Sequence, residues 1–141
     1  MHAEDNNKWT PLHWASERGH SDTARVLIEK GAQVNTENND KCTPLHRASE
    51  HGHSNTATVL IEKGAQVNAE DKYKRTPLHC ASWNGHSDTA LVLIEKDAKV
   101  NAIDISKCTP LHYASKRGHS DTAQMLLEKG DQVKPPREIP S

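Results

Sequence analysis

The tetrapeptide TPLH occurs at Thr10–His13, Thr43–His46, Thr76–His79 and Thr109–His112, always 33 residues apart. A period held this strictly constrains the fold more than any other feature, because units of this size stack into an elongated array instead of closing around one centre. The register reaches well beyond the tetrapeptide. GHSDTA, written GHSNTA in the second copy, begins at Gly19, Gly52, Gly85 and Gly118, and VLIEK begins at Val26, Val59 and Val92, with MLLEK from Met125. A frame set on Val34, Val67, Val100 and Val133 gives units 1–33, 34–66, 67–99 and 100–132, hence a repeat domain over 1–133 followed by an irregular tail over 134–141.

Each unit reads as a projecting hairpin, a helix, a tight turn and a second helix. Thr10 can N-cap the first helix with its hydroxyl, and Pro11 then stands at the first helical position, where a missing N–H costs nothing. That helix is predicted to end before Gly19, Gly52, Gly85 and Gly118, since glycine accepts the left-handed conformation that closes a helix. The second helix begins near His20-Ser21-Asp22, sets Ala24, Leu27 and Ile28 on one apolar face, and is predicted to stop at Gly31, Gly64 and Gly130. Between units, polar stretches such as NTENNDKC and NAEDKYKR form turns, with Asp5, Asn38, Asp71 and Asp104 as turn formers.

These residues resemble the ankyrin-repeat family: TPLH recurs in register, each time followed by A-S-x-x-G-H and an apolar second helix, over residues 1 to about 133. The resemblance implies an all-α solenoid of four stacked helix-turn-helix units with short projecting β-hairpins. Such units bury their apolar faces against one another, which accommodates an apolar content of only 33% and the absence of Phe. It also implies that His13, His46, His79 and His112 brace hairpin to helix and unit to unit.

Departures from the family pattern carry their own expectations. Lys8, Lys41, Lys74 and Lys107 stand where the family usually places glycine; if the fingertip still requires positive φ, each costs on the order of 1 kcal/mol and a row of cations results. Ser16, Ser49, Ser82 and Ser115 replace an alanine, and Thr-Ala, as in Thr23-Ala24, replaces a valine pair, which is expected to weaken packing between units. Asp97 stands at a helix-ending glycine position. Neither end carries an evident polar cap, so end-to-end self-association is an expectation.

Several function classes lose support at this level. A net charge of −1 describes neither a polycation nor an acidic tail. Cys42, Cys80 and Cys108 make an incomplete disulfide set, which favours a reducing compartment such as the cytoplasm. There is no run of about 18 apolar residues, and MHAEDNNKW lacks the apolar stretch of a signal peptide, so the chain is expected to be soluble. Cys42, His46, His51 and His53 crowd into a dozen positions as metal ligands do, yet would be spread over a hairpin, a helix and a turn, so no metal is expected. No glycine-rich phosphate loop or cofactor fingerprint occurs, and neither catalysis nor a cofactor is expected.

The informative letters are those that differ between near-identical units. Trp9, Cys42, Arg75 and Cys108 precede TPLH, and Trp14, Arg47, Cys80 and Tyr113 follow it. In the fold the resemblance implies, these slots line a concave face of hairpins and first helices, together with Arg18, Lys41, His51, Tyr73, Lys74, Trp83, Lys107 and Arg117. Exposed Trp, Tyr and Arg are the side chains that concentrate interface energy. The leading expectation is therefore a non-catalytic module binding a protein with an acidic or mixed patch through Trp9, Trp14, Arg18, Lys41, Arg47, His51, Tyr73, Lys74, Arg75, Trp83, Lys107, Tyr113 and Arg117. A structural spacer within a longer array is an alternative, and a nucleic-acid binder, stacking bases on the aromatics, is a weaker one.

Overall fold

The computed structural model describes residues 7–133, so His2, Asp5 and the expected tail over 134–141 lie outside the described residues. Among the described residues are α1 (Pro11–Glu17), α2 (Ser21–Glu29), α3 (Pro44–Glu50), α4 (Ser54–Glu62), α5 (Pro77–Trp83), α6 (Ser87–Glu95), α7 (Pro110–Lys116) and α8 (Ser120–Val133). The TPLH segment writes the start of each odd-numbered helix. In α3, Thr43 is the N-cap and its hydroxyl accepts from the His46 backbone N–H, while the Thr43 N–H donates to His46 Nδ1 at 3.1 Å. This is a reciprocal capping box with histidine in the place usually held by Glu or Gln, and the same arrangement stands at Thr10, Thr76 and Thr109.

α1, α3, α5 and α7 pack side by side in one layer, and α2, α4, α6 and α8 in a second. Between the layers runs a strip of small and branched side chains, among them Leu12, Leu45, Leu60, Leu78, Leu93 and Leu126 with a buried alanine on nearly every helix. The alanines let the helices approach closely, so the strip grows by adding units rather than by thickening, which is how a chain poor in large apolar residues still excludes water.

Successive units are tied by polar contacts. His13 Nε2 donates to the Cys42 carbonyl at 2.8 Å, His46 to Arg75 at 2.8 Å and His79 to Cys108 at 2.9 Å. Because Nδ1 accepts from a backbone N–H, only the neutral ring protonated at Nε2 satisfies both bonds. A second brace runs the other way, as His53 Nε2 donates to the Glu17 carbonyl and His119 Nε2 to that of Trp83. Each of these rings lies over a glycine: a Cβ at Gly19 would sit 2.6 Å from His53 Nδ1, and φ is +71° there, so Gly-His is needed for both backbone shape and close approach.

The expected weakening by Ser and Thr divides into two cases. Ser21, Ser54 and Ser87 hydroxyls bond the buried Thr56, Thr89 and Thr122 hydroxyls of the following unit at 2.6–2.8 Å, so threonine here gains a partner across the interface. Ser16, Ser49 and Ser82 are 0% exposed and their hydroxyls have no hydrogen-bond partner, so each leaves a buried polar group unsatisfied.

The left-handed positions fall as expected, with φ of 64°, 61°, 63° and 65° at Lys8, Lys41, Lys74 and Lys107 and 77° at Asp97. Two expectations change. The projecting hairpins form no strands among the described residues. The reason is local: Asn38 Oδ1 accepts from the backbone N–H groups of Asp40 and Cys42, so a side chain takes over what a ladder would supply, and neighbouring fingers share single backbone bonds such as Lys72 N–H to the Asp40 carbonyl at 2.9 Å. The last helix also does not stop at Gly130 but continues to Val133. Ala65 and Ala98 follow the helix in their units and are buried in its closing turn, whereas the sequence of the fourth unit has no alanine in that slot.

Burial depresses the His46 and His79 imidazoles below their ordinary range. The unfolded chain therefore takes up protons at a pH where the folded chain excludes them, and stability is complete above about pH 6.5 and lost as pH falls below it. The urea midpoint followed by circular dichroism should drop between about pH 7.5 and about pH 5.5, and at the higher pH His46→Ala should cost roughly 1–3 kcal/mol more than His112→Ala, whose ring is exposed. Ser49→Ala and Ser82→Ala should each raise the midpoint by about 1 kcal/mol equivalent, while Ser115→Ala, at an exposed position, should leave it unchanged.

Candidate functional site

Where the fingers meet the odd-numbered helices the surface opens into a cavity of about 340 Å³. Its finger wall carries Asp40, Cys42, Asp71, Tyr73 and Arg75; its helical wall carries Arg47, Glu50, Cys80, Trp83, Asn84 and Tyr113, with His79 behind. Placement follows from the fold. A residue directly before TPLH lies at the base of a finger, and the residue directly after it lies on the first turn of the helix, so one unit's helix meets the finger base of the following unit.

Of the residues singled out from sequence, Arg47, Tyr73, Arg75, Trp83 and Tyr113 line this cavity. Trp9 and Trp14 form a tilted aromatic pair with centroids 4.5 Å apart beside it, and Arg47 Cζ stands 5.0 Å over the Trp9 ring. Trp83 meets Tyr113 edge to face at 5.1 Å, and Arg117 lies 4.5 Å over the Trp83 ring. His51 reaches the same acid as Arg47, with Nε2 3.7 Å from Glu17 Oε1. Lys41, Lys74 and Lys107 stand exposed at the fingertips, and Arg18, exposed at the end of α1, is not part of the cavity wall.

Carboxylates that the choice of sites passed over hold these cations in place. Arg47 Nε and Nη2 donate to Glu17 Oε1 at 3.1 and 2.8 Å, and its Nη1 donates to Glu50 Oε1 at 2.9 Å. Arg75 Nε donates to the buried Asp71 at 3.0 Å, and Lys72 pairs with Asp40 at 2.9 Å. Much of the basic charge expected along the groove is thus compensated within it. The signal that could have found these pairs is the identity of slots in adjacent units: Glu17 lies 30 residues before Arg47, one helix over in a stack of period 33.

The chemistry of the thiols is quiet. Burial, aided by the negative charge of Asp71, pushes the Cys42 thiol up to about 11, and burial raises Cys80 as well, so both remain protonated at neutral pH and are poor nucleophiles. All three cysteines are free. The histidines that looked like metal ligands are committed elsewhere, His46 to the Arg75 carbonyl and His53 to that of Glu17. Among the described residues no three His, Cys, Asp or Glu side chains converge as a metal site requires.

The family model for ankyrin repeats matches three overlapping stretches, residues 1–71, 37–104 and 68–136. The chain is an ankyrin-repeat protein. Among curated proteins it is similar to acyl-CoA-binding domain-containing protein 2 of Arabidopsis thaliana, 50% identical over 32 residues. That stretch is 23% of this chain and 9% of the relative, so the chain spans about a tenth of the length of that protein. A likeness of about one repeat speaks for the shared unit. Among the described residues of this ankyrin-repeat protein, no helix is long and apolar enough to cross a membrane.

Proposed function

We propose that this chain is a non-catalytic interaction module that binds a protein bearing an acidic or mixed patch, through the face built by its fingers and odd-numbered helices. Ankyrin repeats are generally protein–protein interaction modules, and the family as a whole is generally non-catalytic. The observation that carries the reading is the open cavity with Trp83 on its wall, one ring face taken by Arg117, and Tyr113 packed nearly perpendicular to the ring. Interface energy concentrates in Trp, Tyr and Arg at sites that lose water on binding. Here those side chains are already held in one arrangement, so little conformational entropy remains to be lost on association.

A second copy of the chain is a further partner of the same module. In the first unit His20 and Thr23 are exposed, although the equivalent His53 and Thr56 bond the preceding unit. In the last unit His112, Ser115 and Leu127 are exposed, although the side chains in the same slots of inner units are wholly or partly covered. These are complementary halves of one interface, which supports head-to-tail association.

Affinity capture with the wild-type chain beside a Trp83→Ala/Arg75→Ala variant, read by mass spectrometry, tests the groove. Partners of the wild type should be lost from the variant while the helical circular dichroism signal is unchanged; retention of the same partners by the variant overturns the reading. Sedimentation velocity over a hundredfold concentration range, on the order of 1–100 μM, tests the ends: the sedimentation coefficient should rise with concentration, and a constant monomer value rejects self-association.

A further inference from the structure

The positive charge of the groove is distributed unevenly along the array. In the half built from α1 to α4 and their fingers, the cations Lys8, Arg18, Lys41 and Arg47 stand beside the acids Glu17, Asp40 and Glu50. In the half built from α5 to α8, the six cations Lys72, Lys74, Arg75, Lys107, Lys116 and Arg117 stand beside the three acids Glu70, Asp71 and Asp104, and Lys72 reaches across to Asp40.

Asp71 and Asp104 are also fully engaged within the chain. Asp71 Oδ1 accepts from the Tyr73 and Arg75 backbone N–H groups and Oδ2 from Arg75 Nε. Asp104 Oδ1 accepts from the Ser106 and Cys108 N–H groups and Oδ2 from the Tyr113 hydroxyl. Their positions are fixed by turn formation.

The arginines differ in the same sense. Arg47 uses Nε, Nη1 and Nη2 on Glu17 and Glu50. Arg75 uses only Nε; its Cζ is held 4.9 Å over the Tyr73 ring, and its two Nη groups make no hydrogen bond among the described residues. Arg117 is stacked on Trp83 and its guanidinium makes no hydrogen bond or ion pair among the described residues. Two guanidinium groups with unused donors, each lying over an aromatic ring, therefore stand at a cavity walled by Tyr73, Trp83 and Tyr113.

We infer that the α5–α8 half of the groove is an acidic-peptide site: carboxylates of an extended partner segment pair with Arg75 and Arg117, and an apolar side chain between them enters the cavity. The inference rests on the interaction-module reading and gives the partner a chemistry and a direction. A planar guanidinium with a free Nη pair matches a carboxylate bidentately, and stacking on an aromatic ring sets its orientation before the partner arrives. Acids on the partner gain less over the α1–α4 half, where the Arg47 donors are already taken by Glu17 and Glu50, so the segment runs with its acidic part over α5–α8 and a neutral or basic part toward α1. A nucleic acid is disfavoured by the same asymmetry, because a continuous polyanion laid along the groove would meet those carboxylates.

The test is selection of a random dodecapeptide display library on the full chain and, in parallel, on Arg75→Ala/Arg117→Ala, on Trp83→Ala and on Arg25→Ala, which lies on α2 away from the groove; circular dichroism confirms folding of each. The wild type and Arg25→Ala should enrich peptides with Asp or Glu flanking an apolar residue, and the double arginine variant should lose that preference. A synthetic peptide from the selection should bind about tenfold or more weakly to the double variant, and replacing its Glu by Gln should weaken binding to the wild type by a similar factor. Peptides enriched without acids, or an acidic preference that survives in the double variant, overturn the inference. If peptides without acidic bias are enriched and are lost with Trp83→Ala, the groove reading stands and this inference alone falls; if the wild type enriches nothing, both fall. Displacement of the acidic peptide by a single-stranded oligothymidylate at lower concentration than by free peptide reassigns the arginines to nucleic acid and likewise overturns it.

Discussion

The array depends on a neutral imidazole that makes backbone bonds in two directions. His46 accepts the N–H of its own helix cap at Nδ1 and donates Nε2–H to a carbonyl at the base of the following finger. One side chain thereby starts a seven-residue helix that would not be stable alone and fixes where the next finger leaves the stack. Apolar burial supplies the driving force for stacking, but an alanine-rich strip has little shape to define register. Directional bonds from His13, His46 and His79 define it, and the Gly-His contact adds a steric stop at each step.

Fixing the finger base is also what makes a groove. Cys42, Arg75 and Cys108, whose carbonyls receive the histidine bonds, are the residues directly before TPLH, so the brace fixes the backbone from which the finger-base side chains project. Asn38, Asp71 and Asp104 then lock each finger from within by accepting from its own N–H groups. Stability and surface are in this way separated: the repeated letters hold the backbone, and the letters between them vary without disturbing it.

That separation explains what could be read from the sequence. Helix starts, glycine-closed ends and left-handed lysines follow from single residues acting locally, and the period multiplied each signal. The continuation of α8 past Gly130 was hidden because the helix-ending glycine itself recurs in the fourth unit, and only the letter after it, alanine in the other three units, differs. Hairpins without strands were hidden because a side-chain oxygen substitutes for a ladder, which no pattern of apolar alternation records. At the candidate site the aromatic and basic residues were legible as departures from the repeat. Their pairing was not: Glu17 and Arg47 are near only because consecutive helices stack, and whether an arginine is saturated or has unused donors depends on side-chain geometry.

The fingertip lysines show the same division from the side of cost. A lysine at φ near +63° is disfavoured by about 1 kcal/mol relative to glycine, and nothing among the described residues offsets this at Lys41, Lys74 or Lys107 through an ion pair. A strained residue without a local compensating contact contributes nothing evident to the fold that glycine would not contribute better. What it does provide is an ammonium group at the edge of the cavity-bearing face, repeated once per unit on a backbone held rigid by the histidine braces. A row of cations is compatible with the self-paired Arg47 region and additive with Arg117 and with the Nη groups that Arg75 leaves unused beside its pair with Asp71. The field at the groove therefore grows toward α7 and α8, although the protein as a whole carries almost no net charge.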